Sequence, residues 1–132
     1  MTVLTERQHT GEFLVSEGNG SISRESGTLT SGEVVVDGQV LALVANKLVA
    51  AEGTYDSDTG VTDEDIVGIA YGDHDATGAD LEGVVYIARL AEVKEELVTL
   101  YTEISSDSES DVGAISEAAV TAALLAKNIV LR

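Results

Sequence analysis

The chain has 132 residues, is 44% hydrophobic but only 4% aromatic, contains no cysteine, and carries a formal net charge of −17. These values exclude thiol redox chemistry, zinc–thiolate sites and disulfide frameworks, and so acidic a surface opposes binding to nucleic acid and to anionic membranes. What they leave is one folded domain with a core of Val, Leu, Ile and Ala, highly soluble or adapted to salt, whose partners are neutral or basic.

Residues 1–11 are polar and without period, the pattern of a terminal arm. The start MTVLTERQHTGEF lacks the basic beginning and long apolar centre of a signal peptide, so assembly in the cytoplasm is expected. No apolar run approaches the ~18 residues of a membrane span. Residues 12–17 (EFLVSE) predict a strand with Phe13, the sole phenylalanine, and Val15 on one face. Such a strand is either an edge of the chain's own sheet or a strand held for a partner's sheet edge. Gly18-Asn19-Gly20 predicts a sharp reversal that could serve as a hinge. With no helix expected there, and neither a GxxxxGK[ST] nor a GxGxxG pattern, it is not read as a phosphate loop.

Further strands are expected at 28–30, 34–36, 40–44 and 48–51, with Asn46-Lys47 as a two-residue hairpin link. The acidic stretch 52–65 invites comparison with a calcium loop. Counted from Asp56, however, Gly60 falls at a ligand position, Val61 where glycine is required and Val67 where a bidentate Glu belongs. A looser oxygen-ligand site for a divalent cation remains the alternative to a solvated loop. Residues 66–71 predict a strand, and Asp73-His74-Asp75 a turn whose adjacent side chains are poorly placed to converge on one metal. The run 83–90 (GVVYIARL) is apolar on both faces and predicts a central strand.

Val93, Leu97, Leu100, Tyr101 and Ile104 then recur at helical spacing. Residues 105–111 form a polar linker, and Ser116 is the expected N-cap of a second helix through AAVTAALLAK. Asn128 suits a left-handed C-cap, and residues 129–131 close the chain as a strand. The expected fold is α+β, mainly β, with two short C-terminal helices and an N-terminal arm. No catalytic constellation can be assembled: the two histidines, His9 and His74, lie far apart in sequence, and neither GxSxG nor HExxH occurs. An enzyme is therefore not expected, and no cofactor is implied.

The segments GEFLVSEGNGSISRES, GQVLALV, IVGIAY, GVVYIARLAEV and AAVTAALLAKNIVLR, in that order, resemble the small, lambda-like head-decoration proteins of tailed phages. The resemblance implies a β-rich domain of barrel or sandwich type (β-tulip). It further implies a homotrimer docking on the outer surface of an expanded icosahedral capsid, at three-fold and quasi-three-fold positions, as a cement against packaged DNA. The implied partners are further copies of the chain and the major capsid protein, with no nucleic acid and no membrane. Transferred to this sequence, it assigns capsid docking to an arm of residues 1–17, carried by Glu12, Phe13, Leu14 and Val15, on a domain of residues 18–132. Two departures are Asn128, where a glycine is expected, and a region 93–116 longer than the minimal pattern.

Overall fold

The computed structural model describes residues 3–51, 65–99 and 117–132. In chain order its elements are β1 (Leu14–Glu17), α1 (Gly20–Ser23), β2 (Arg24–Leu29), β3 (Val34–Val35), β4 (Val40–Val44), β5 (Lys47–Ala50), β6 (Ile66–Ala70), β7 (His74–Asp75), β8 (Leu81–Ile87), β9 (Ala91–Val93), α2 (Glu117–Ala126) and β10 (Ile129–Leu131). Mainly β was the expectation, and mainly β is what forms.

Five strands close into a barrel in the order β2-β5-β4-β6-β8. The alternation in the sequence explains the closure. Leu29, Leu41, Leu48, Ala70, Val84 and Tyr86, from all five strands, meet in one buried cluster. Three of the five strands, β4, β6 and β8, also supply Val40, Ala42, Ile66, Ile69 and Ile87 to a second cluster. A strand buried on both faces reads as a near-continuous apolar run, which is why VLALV and GVVYI carry so few charges. β6 and β8 approach so closely that a Cβ on Gly68 would collide with the Ile87 carbonyl oxygen. Only glycine fits there.

The second cluster is covered by a three-stranded sheet, β1-β9-β10, and by α2. β9 lies at its centre, antiparallel to β1 and parallel to β10. Val120 and Leu124, one helical turn apart, bury the inner side of α2. The helix ends at Asn128, φ 59°, in the left-handed cap expected of it. Leu90 N then donates to Lys127 O and Ala91 N to Asn128 O, which sets β10 beside β9.

Three expectations need correction. The β4–β5 hairpin turns on Ala45 (φ 49°) and Asn46 (φ 64°), with Val44 opposite Lys47, so the two-residue link lies one position earlier than Asn46-Lys47. The two positive φ values are what a type I′ turn demands. At Gly18-Asn19-Gly20 a helix does start: Asn19 caps the four-residue α1, its Oδ1 accepting from Ser21 N at 3.1 Å. The helix expected from Val93 does not form in the described residues. Val93 is sheet, paired with Leu14 and Leu131; Lys94 N donates to Phe13 O and Glu95 N to Arg132 O. Donors spent between strands are lost to a helix. One 3-10 turn, Glu95–Leu97, follows, and Thr99 then bridges to Gln39. Leu100, Tyr101, Ile104, the polar linker, Ser116 and the acidic stretch 52–64 lie outside the described residues.

Candidate docking surface

The N-terminal segment is held by its base and exposed along its length. Val3 and Leu4 are 83% and 91% exposed, large apolar side chains with nothing over them. The base is fixed by one carboxylate. Asp37, nearly buried, accepts from Gly11 N at 3.0 Å and from Gly72 N at 2.7 Å. Its own backbone N–H donates to Asp73 Oδ1 at 2.9 Å, while Asp73 Oδ2 receives Arg7 at 3.0 Å. A carboxylate bonding two backbone amides makes charge-assisted contacts stronger than neutral ones. Gly11 has φ +80°, and a Cβ there would lie 2.7 Å from the Tyr71 ring. The arm thus crosses the domain at a point that admits no side chain.

Tyr71 is also packed on its other neighbour. The Arg24 guanidinium sits 4.2 Å from its ring centroid and pairs with Glu17 at 2.6 Å. That hydrogen bond raises the pKa of Arg24 above its ordinary value. Between the arm (Arg7, Gln8) and the 3-10 turn lies an open groove of about 370 Å³, lined by apolar Val36, Leu97 and Val98 together with acidic Asp37, Asp73 and Glu96.

The four residues assigned to docking separate into two pairs. Phe13 is 0% exposed and belongs to the core cluster with Val40, Ile87 and Leu124. Leu14 is half-buried against that cluster. In the unbound chain Phe13 is a core residue and Leu14 packs against the core, so neither stands as a free anchor on an arm. Glu12 is exposed, its carboxylate accepting from His9 N at 3.0 Å, and Val15 is 50% exposed. The strand beginning at Leu14 is an edge of the chain's own sheet: β9 lies on one side, and no strand on the other among the described residues.

Exposure is continuous through Thr10, and the chain becomes partly buried at Gly11 and fully buried at Phe13. Gly18 does not swing free, since its N–H donates to Leu90 O at 2.9 Å. Sequence reading missed Asp37 because Asp37-Gly38 looks like an ordinary turn pair; a carboxylate between two apolar runs was its only signal.

Among the described residues, no group of three or more His, Asp or Glu side chains could hold a metal, and no helix is long and apolar enough to cross a membrane. His74 Nε2 lies 3.0 Å from Tyr71 O.

A family model described as Bacteriophage lambda head decoration protein D matches residues 3–120. That span includes the exposed segment, the barrel and the three-residue strand β9. No curated protein matches the chain.

Proposed function

The chain belongs to the bacteriophage lambda head decoration protein D family, and from that membership we propose that it docks as a homotrimer on the outer surface of an expanded phage head, at three-fold and quasi-three-fold sites, and braces the shell against packaged DNA. The family is one of structural capsid proteins and not a class of enzymes. The observation that carries the reading is the family match, spanning nearly the whole chain. The exposed apolar start of the chain supports it: Val3 and Leu4 are largely unburied within the chain, and transferring such side chains fully out of water is worth about 1.5–3 kcal/mol each.

Docking contacts are assigned to residues 3–12 together with Val15 and the open edge of β1, where a strand of the capsid protein can add by main-chain hydrogen bonds. Phe13 and Leu14 hold that edge in place from beneath. Three arms on one trimer convert weak single contacts into firm attachment. Subunit contacts between chains this acidic require apolar or locally neutral surface. Ile22 and Leu90 provide it: both are exposed, and the Arg89–Glu25 pair beside them is neutral in sum.

Deleting residues 1–10 tests the assignment. The truncated chain should keep its circular dichroism spectrum and lose retention on expanded shells lacking decoration. Retention equal to that of the full chain would remove the arm from the docking surface.

A further inference from the structure

Among the described residues, five of the seven Lys and Arg residues form ion pairs: Arg7 with Asp73, Arg24 with Glu17, Lys47 with Asp80, Arg89 with Glu25, and Arg132 with Glu92. Seven cations against 24 acidic residues leave an excess of 17 negative charges, however they pair. Glu82, Glu95 and Glu96 are exposed and make no ion pair with a described residue. Small soluble domains are well served by a net charge of about 2–8 in magnitude, and this chain carries −17. Compaction brings every one of those charges closer to all the others, so self-repulsion acts against the folded state.

The core gives an independent reason why that repulsion matters. Alanine fills six of its buried positions, Ala42, Ala51, Ala70, Ala76, Ala88 and Ala91. Phe13 is the only phenylalanine it can contain. Burial of small side chains yields less transfer free energy per residue than burial of Leu, Ile or Phe, because the gain follows apolar area. A modest core is therefore set against an unusually large uncompensated charge.

We infer that the chain is a salt-requiring protein, reaching full stability only in surroundings of molar monovalent salt, where its carboxylates are screened. The ligand class is a diffuse monovalent cation atmosphere, not an ion held at a site. The inference concerns the folded chain alone and stands apart from the docking reading.

The test is thermal unfolding of the full chain, followed by circular dichroism, in KCl from about 0.1 M to about 3 M, a range over which the screening length falls from about 10 Å to below about 3 Å. Tm should climb throughout, by about 10 °C or more, well above the few degrees that a single ordinary surface change produces in a domain of this size. The triple variant Glu82→Gln, Glu95→Gln, Glu96→Gln should start from a higher Tm at low salt and show a shallower rise. A Tm independent of KCl overturns the inference. So do parallel curves for the two proteins, which would assign the effect to general salting-out of apolar surface. Full recovery of Tm by millimolar MgCl₂ or CaCl₂ at low ionic strength also overturns it, since that would mark a specific cation site.

Discussion

Removing the Asp37 carboxylate should loosen the base of the N-terminal arm more than it disturbs the barrel. The carboxylate is nearly buried and bonds Gly11 N at 3.0 Å and Gly72 N at 2.7 Å. Hydrogen bonds to a charged group contribute about 1.5–3 kcal/mol each, and a buried N–H left without an acceptor adds its desolvation cost. Asp37→Asn preserves shape but sets an NH₂ against one of the two amides, for an expected loss of about 2–3 kcal/mol. Asp37→Ala loses both bonds, for about 3–5 kcal/mol. Urea denaturation at fixed salt measures the loss, and amide hydrogen exchange locates it. Gly11 and Gly72 should lose protection in both variants, while the β4 and β8 amides remain the slowest to exchange. If Asp37→Asn stayed within about 0.5 kcal/mol of the parent, the size of an ordinary surface change, and both glycine amides stayed protected, the clamp would be refuted.

Three further outcomes follow from the same geometry. Phe13→Ala should cost about 3–5 kcal/mol of folding stability, the range for emptying a buried aromatic site, because Phe13 is fully buried with Val40, Ile87 and Leu124; a loss of docking without a change in urea midpoint would return it to the arm. Ala45→Gly should stabilise by about 0.5–1 kcal/mol, since Ala45 is exposed at φ 49° and glycine tolerates that region without the Cβ clash; a lower midpoint would show that the turn is not strained. The Arg132 hydrogen bond holds Glu92 below the ordinary glutamate value, and the Lys47 hydrogen bond does the same for Asp80. Carboxyls depressed in the folded state stabilise above their unfolded pKa, and the stabilisation is lost as pH falls through the folded values. The Tm difference between the parent and Arg132→Gln should therefore be small but present at neutral pH, vanish in strong acid, and shrink with added salt, as for exposed pairs. A difference that grew on acidification would contradict the assignment.

Three strands of the barrel, β4, β6 and β8, were legible because they carry buried residues on both faces, and VLALV, IVGIA and VVYI announce that without help from the rest of the chain. Asn128 and the terminal strand were legible for a local reason as well: one residue that tolerates left-handed backbone, placed between a helical run and three aliphatic side chains. The three-stranded sheet was not legible. β9 pairs with Leu14 at one end of the chain and Leu131 at the other, and no short window contains either partner. Without those partners, Val93 and Leu97 fit a helical period by coincidence of spacing. The same distance hid the place of Phe13, since an apolar residue next to a polar terminus looks like an arm until β9 is seen hydrogen-bonded beside it. Asp37 was one carboxylate among 24, and only the fold brings Gly11 and Gly72 to it.

Attachment to an expanded head is the proposed role of the chain. The most direct measurement is co-sedimentation of the purified full chain with expanded shells that lack decoration, beside unexpanded shells of the same capsid protein, in salt high enough to keep the chain folded. Saturable binding to the expanded shells, in multiples of three copies per site and with weak or no binding to the unexpanded ones, is the expected result. Equal binding to both shells, or none to either by a chain shown to be folded, would contradict the account.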